Sequence, residues 1–175
     1  YNGAMDNASG VATMLEVARG FVQSGKRPKR SILFVALTAE EDGLLGSDYL
    51  AHFPVVGTGR IVADVNLDMP ILLYDFTDVV AFGAEHSTLG PIVERAAARM
   101  GVTLSPDPVP EEGLFVRSDH YSFVKVGVPS VFLVTGFANG GEKLFRDFLA
   151  THYHRVSDQS DLPFNWAAGA KFARL

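Results

Sequence analysis

Cysteine is absent from the 175 residues, which excludes a disulfide framework, a thiolate zinc site and a cysteine nucleophile in this stretch. Any metal has to be held by histidine and carboxylate. Positive charge is also in short supply: 15 Lys and Arg stand against 20 Asp and Glu, a formal net charge of -5. The longest basic run, Lys26-Arg27-Pro28-Lys29-Arg30, reads as a solvated loop, so nucleic acid is not an expected partner. No apolar stretch approaches the roughly 18 residues that a membrane span needs. The residues after Tyr1 lack the charged, apolar and small-residue order of a signal peptide, and the chain is expected to be soluble. Internal repeats and low-complexity tracts are missing too.

What is present suffices for one domain covering residues 1–175, since 47% of the residues are hydrophobic and a chain of this length can bury a substantial core. Val11, Met14, Leu15, Ala18 and Val22 recur at helical spacing after Asn7, Ser9 and Gly10, which suit a helix start. Ser31–Leu37 is a continuous apolar run, the pattern of a strand covered on both faces, and it ends at Thr38-Ala39-Glu40-Glu41. A short helix is predicted over Gly43–Phe53. A second buried strand is predicted over Arg60–Leu67, ending at Asp68-Met69-Pro70, and a third over Asp78–Ala84. Leu89, Ile92, Val93, Ala96 and Met100 mark an amphipathic helix closed by Gly101. The Pro-rich segment 105–113 reads as an irregular connection after a short edge strand. A helix over Ser118–Val126, a fourth strand over Ser130–Val134 and a terminal helix opened by Pro163 complete the pattern. Strands alternating with helices predict an α/β; three-layer α/β/α sandwich with a mostly parallel mixed central sheet. Functional groups in such sheets gather at the carboxyl ends of strands.

The chemistry-bearing residues fall at those ends. Asp6 precedes the first helix, Glu40 and Glu41 follow one strand, Asp68 follows another, and His154 lies late in the chain. Carboxylate and neutral imidazole are what zinc accepts in the absence of thiolate. Taken singly, Asp6 is equally a helix N-terminal charge, Glu40 and Glu41 a solvated loop, and Asp68 a turn residue. Adjacent glutamates diverge, which would let one bind metal while its neighbour handles a proton.

Five blocks in order carry a resemblance to a known family. They are Gly3-Ala4-Met5-Asp6-Asn7-Ala8-Ser9-Gly10, Thr38-Ala39-Glu40-Glu41-Asp42-Gly43-Leu44-Leu45-Gly46-Ser47, Asn66-Leu67-Asp68-Met69, Arg117-Ser118-Asp119-His120 and Tyr153-His154. Together they resemble the co-catalytic di-zinc aminopeptidases, metallopeptidase family twenty-eight, whose relatives include bacterial leucyl aminopeptidases, glutamate carboxypeptidase II and glutaminyl cyclases. The resemblance implies a zinc exopeptidase acting on peptides. Asp6 would bridge two zinc ions, Glu41 and His154 would complete one site, and Asp68 would belong to the other. Glu40 would be the general acid/base. Tyr153 would donate to the developing oxyanion, or is simply a packed tyrosine. Arg117 would contact substrate, or pairs with Asp119. His120 and His152 are expected to be structural or to support the ligands from behind, while His52 and His86 match no motif. Asp158 and Asp161 would orient nearby groups or form a turn. The family also implies a cis peptide bond at Asp6-Asn7.

One departure matters. The resembling enzymes supply a further histidine from a His-X-Asp motif upstream of the Gly3 block, and this chain does not contain it. The Asp68 site is therefore expected to bind weakly, leaving one zinc or none on a poorly active chain that is missing the first strands of the sheet. Self-association through an exposed sheet edge is expected as well. By resemblance the parent protein would be exported. The motif specifies the metal and not the substrate, so carboxypeptidase, dipeptidase or cyclase chemistry and a non-catalytic binding relative remain as alternatives.

Overall fold

A computed structural model describes residues 1–57 and 59–175. In chain order its main elements are α1 (Ser9–Ser24), α2 (Leu45–His52), β1 (Asp64–Leu67), β2 (Asp78–Phe82), α3 (Leu89–Arg99), β3 (Thr103–Ser105), α4 (His120–Lys125), β4 (Ser130–Thr135), α5 (Gly141–Thr151) and α6 (Trp166–Arg174). The chain forms two compact units. A sheet unit comprises residues 37–66 and 78–134, and a helical unit comprises residues 1–36, 67–77 and 135–175. Among the described residues no helix is long and apolar enough to cross a membrane.

The sheet unit is built on a four-stranded sheet with the order β1-β4-β2-β3. β2 and β3 run parallel, with Val79 opposite Leu104. Every residue of β2 is buried, because both faces of the sheet are covered. On one face Ala81 and Val131 pack with Val93 of α3, joined by Leu89, Leu104 and Leu133. On the other, Val80, Phe82 and Phe132 pack with Leu114 and Phe115. Two covered faces remove any need for apolar–polar alternation, which is why the sequence shows an unbroken apolar run here.

The helical unit is organised around large apolar side chains. Met5, Phe76, Phe148 and Phe172 are all buried, and Phe172 of α6 meets the Phe76 ring edge-on at 6.0 Å and 85°. Lys171 Nζ lies 4.5 Å from the centre of the Phe76 ring and reaches Asp75 Oδ1 at 2.9 Å. Hydrogen bonds from the C-terminal part of the chain help tie in the segment 67–77. Thr135 Oγ1 donates to Pro70 O at 2.6 Å, and Asn165 N donates to Leu72 O at 2.8 Å.

Several sequence expectations shift. Ser31–Leu37 is not a strand: its residues have no ladder, and Ile32, Leu33 and Phe34 are 43%, 49% and 38% exposed. An apolar run specifies a segment that gains from being covered, whereas a strand exists only when a neighbour completes its hydrogen bonds. The predicted buried strand over Arg60–Leu67 begins at Asp64, whose N–H finds Pro129 O at 2.9 Å, and it is not buried, since it is the outer strand of the four and Val65 is 55% exposed. The terminal helix starts at Trp166 and not at Pro163. Asn165 caps it, its side chain accepting from Ala168 N at 2.9 Å, which satisfies one of the otherwise orphaned amides of the first turn.

Candidate metal centre

Asp6 lies in an irregular turn, Ala4–Ala8, ahead of α1. The turn is closed by Ala8 N donating to Gly3 O at 2.9 Å, with Gly3 in the left-handed region at φ 59°. The Asp6-Asn7 peptide bond is cis, as the resemblance implied. Oxygens of Asp158 receive the N–H groups of Met5 and Asp6 at 2.8 and 2.9 Å. The side chain of Asn7 reaches Leu67 O, Gly10 N and Met69 N, so that it holds the backbone on both sides of Asp68.

His154 arrives from the opposite end of the chain. After α5 the backbone folds into tight turns, with Arg155 N on His152 O at 3.0 Å and Asp158 N on Arg155 O at 3.1 Å. His154 itself takes φ 56°, a conformation costing a non-glycine residue on the order of 1–2 kcal/mol. That turn aims its imidazole at Asp6, with Nε2 3.3 Å from Oδ2. The carboxylate is 12% exposed and the imidazole 44%, so solvent reaches the pair from the histidine side. The Tyr153 ring stacks on His154 at 3.7 Å and 28°.

The remaining candidates divide between the units. Asp68 and Tyr153 share the helical unit with Asp6 and His154, while Glu40, Glu41 and Arg117 belong to the sheet unit. Glu40 and Glu41 sit on a tight turn in which Glu40 O accepts from Gly43 N and Leu44 N at 3.0 and 2.9 Å. Gly46 is required there, because a Cβ would lie 2.3 Å from Thr38 O. Positive φ recurs beside these groups, at Ala39 (57°) before Glu40 and at Met69 (47°) after Asp68. Strained residues of this kind concentrate at functional sites. Arg117 does not pair with Asp119 as one sequence reading had it; its Nη1 faces Glu112 Oε2 at 3.8 Å across solvent.

The other histidines have different surroundings. His120 is fully buried, its ring 5.4 Å from Phe115 and 5.3 Å from Phe132, and burial pulls its pKa down to about 4. His152 Nδ1 faces Ser157 O and Oγ, both at 3.1 Å. His52 faces Asp48 O at 2.8 Å and His86 lies 3.4 Å from Glu85 Oε1.

Zinc fits the Asp6 and His154 donors. Two ligands at roughly 2.0–2.1 Å from a tetrahedral ion stand about 3.3–3.4 Å from each other. The observed 3.3 Å separation matches that edge and exceeds the roughly 2.7–2.9 Å of a charge-assisted hydrogen bond.

Two features escaped the sequence reading. One is the three-way hold of Asn7, although an Asn just ahead of α1 and three residues before Gly10 is the pattern of a helix N-cap. In the sheet unit, Asp64 Oδ2 and Asp119 Oδ1 are buried with no hydrogen-bond partner. Burial, then the like charge of Asp119, push the Asp64 carboxyl up to about 7. The signal was an aspartate inside an apolar run.

Comparison with known proteins bears on this arrangement. A family model described as Peptidase family M28 matches residues 1–175. The chain is 30% identical over 141 residues to leupeptin-inactivating enzyme 1 of Streptomyces exfoliatus, covering 77% of this chain and 29% of that protein. Among solved structures it is similar to an aminopeptidase from Aneurinibacillus sp. strain AM-1, with 25% identity and a TM-score of 0.71 over 98% of this chain and 37% of that one. It is also similar to BSAP, a zinc aminopeptidase from Bacillus subtilis, with 24% identity and a TM-score of 0.75 over 99% of this chain and 40% of that one. The fold is thus the α/β fold with a mixed open sheet of those enzymes, and the chain spans well under half the length of each of these relatives.

Proposed function

The chain belongs to peptidase family M28, and from that premise we propose that it supplies the catalytic residues of a zinc-dependent exopeptidase, in the simplest form an aminopeptidase that removes N-terminal residues from peptides. The observation that carries the reading is the 3.3 Å approach of His154 Nε2 to Asp6 Oδ2, the edge of a tetrahedral zinc site. The name of the similar Aneurinibacillus protein, an aminopeptidase, supports it.

In this reading Asp6 would contribute its carboxylate to both metal positions. His154 and Glu41 serve one, and Asp68 serves the other. Zinc, when bound, lowers the pKa of a water and polarises the scissile carbonyl. Glu40 would take a proton from the attacking water and pass it to the leaving amine. Its backbone carbonyl accepts from the Gly43 and Leu44 amides, which fixes the turn that carries Glu40 and Glu41. Tyr153 donates its phenolic proton toward the oxygen that gains charge, with the His154 ring beneath it at 3.7 Å restricting its motion. Arg117 exchanges its solvent-exposed partner Glu112 for a substrate group.

The test is zinc content after exhaustive dialysis, together with hydrolysis of leucine anilide and of acidic dipeptides. Glu40→Ala is expected to keep zinc and lose roughly 10²–10⁴ in rate, whereas His154→Ala loses zinc. Because the position served by Asp6, Glu41 and His154 has its ligands within the chain, one zinc is expected, and a chain that takes up none refutes the reading. Preference for acidic dipeptides over the anilide would move it from aminopeptidase to another exopeptidase specificity.

A further inference from the structure

Asp6 is gripped from both sides by side chains that reach toward its neighbours in the proposed site. Asp158 is 2% exposed, and its two carboxylate oxygens accept from Met5 N at 2.8 Å and Asp6 N at 2.9 Å. Its own N–H closes the turn that follows His154 by donating to Arg155 O at 3.1 Å. One buried residue therefore fastens the backbone of Asp6 to the turn that presents His154.

Asn7 acts on the other side. Its Oδ1 accepts from Gly10 N at 3.1 Å and Met69 N at 3.2 Å, and its Nδ2 donates to Leu67 O at 3.0 Å. Three of the four hydrogen bonds an amide side chain can make are used, and two of them bracket Asp68. The approach is so close that a Cβ on Gly10 would lie 2.2 Å from Asn7 Oδ1 and 2.4 Å from Leu67 O.

We infer that Asn7 and Asp158 are the positioning residues of the metal centre: Asp158 sets the Asp6 carboxylate relative to His154, and Asn7 sets it relative to Asp68. The inference rests on the zinc reading above. Neither residue offers an atom to the metal. Each holds backbone amides or carbonyls at the ligands' own positions, so the distance between carboxylate and imidazole is established before metal arrives. Partners that orient ligands in this way are typically worth about 10–100-fold in metal affinity.

The experiment titrates zinc alone into the metal-free full chain by calorimetry, and records thermal melts of each variant with zinc and with chelator. Asp158→Asn keeps the volume but replaces one acceptor oxygen by a donor that faces an N–H. Asn7→Ala removes the grip on Leu67 and Met69. Each is expected to weaken zinc binding at least tenfold and to shrink the rise in Tm that zinc produces. A merely structural role would lower the melts with and without zinc equally and leave the affinity of the folded protein unchanged. Should Asp158→Asn fail to fold, Asn7→Ala decides. Zinc binding by the native chain with a loss smaller than tenfold in the folded variants overturns the positioning role alone. No zinc binding by the native chain overturns both this role and the peptidase reading.

Discussion

Replacing Asp64 by asparagine should flatten the pH dependence of stability and make the protein more stable in alkaline solution. Asp64 opens β1, and its Oδ2 is buried without a partner, as is Oδ1 of Asp119 just before α4. Burial raises both carboxyls, and the Ser47 hydroxyl offsets part of the effect at Asp119. The nearest cation of α4, Lys125, is committed to Asp48 at 3.0 Å and does not neutralise the pair. In the unfolded chain Asp64 titrates near 3.9, while in the folded protein it titrates at about 7. Between those values the folded state holds a proton that the unfolded state has released, so stability falls as pH rises and the penalty is complete above pH 7. About three pH units at 1.36 kcal/mol each give a penalty of roughly 4 kcal/mol, shared with Asp119 because the two protons come off as a coupled pair. The amide introduced by Asp64→Asn carries no charge. Urea unfolding of Asp64→Asn and the native chain between pH 4.5 and 8.5 provides the difference curve. It should be near zero or unfavourable at the acid end and favour the variant by a few kcal/mol at the alkaline end. Two parallel curves would refute the reasoning, since they would mean that Asp64 ionises as freely folded as unfolded.

Three other changes test the packing. Gly10→Ala places a methyl 2.2 Å from Asn7 Oδ1 and 2.4 Å from Leu67 O and should cost about 1–3 kcal/mol in urea unfolding, despite alanine's better helix propensity; an unchanged midpoint would show that the close approach is soft. Phe76→Ala empties a fully buried position between Phe172 and Lys171 and should cost about 3–5 kcal/mol. A loss below 1 kcal/mol would mean that the site collapses around the cavity. Asn165→Ala removes the acceptor for Ala168 N and should cost about 1 kcal/mol, seen as faster hydrogen exchange of the Ala168 amide. Unchanged exchange would show that water substitutes for the cap.

The legibility of the chain differs from segment to segment. Asp78–Phe82 and Ser130–Thr135 are largely apolar runs, and each is a strand of the sheet. Such runs are readable because a strand covered on both faces needs no polar side. Ser31–Leu37 has the same signature and forms no strand, because pairing is a property of two segments and the pattern belongs to one. The last helix begins three residues after Pro163, and α4 begins two after Ser118. Pro163 and Ser118 are suitable residues, but the first amides to find caps or turns lie further on.

For the candidate site, residue chemistry and order were available from the sequence. With no cysteine, acidic and imidazole groups were the candidate ligands, and five ordered blocks pointed to Asp6, Glu40, Glu41, Asp68 and His154 through family resemblance. That His154 lies 3.3 Å from Asp6 was beyond any local pattern. It depends on a left-handed His154, a buried Asp158 and the chain path that returns residues 135–175 to the first turn. The sequence by itself determined which atoms could bind a metal and which runs are apolar, since both follow from side-chain chemistry and local pattern. Only the tertiary structure decided which of those atoms meet and what holds them. Contacts between residues as far apart in sequence as Asp6 and His154 are set by the packing of the whole unit, and no periodicity within a segment encodes them.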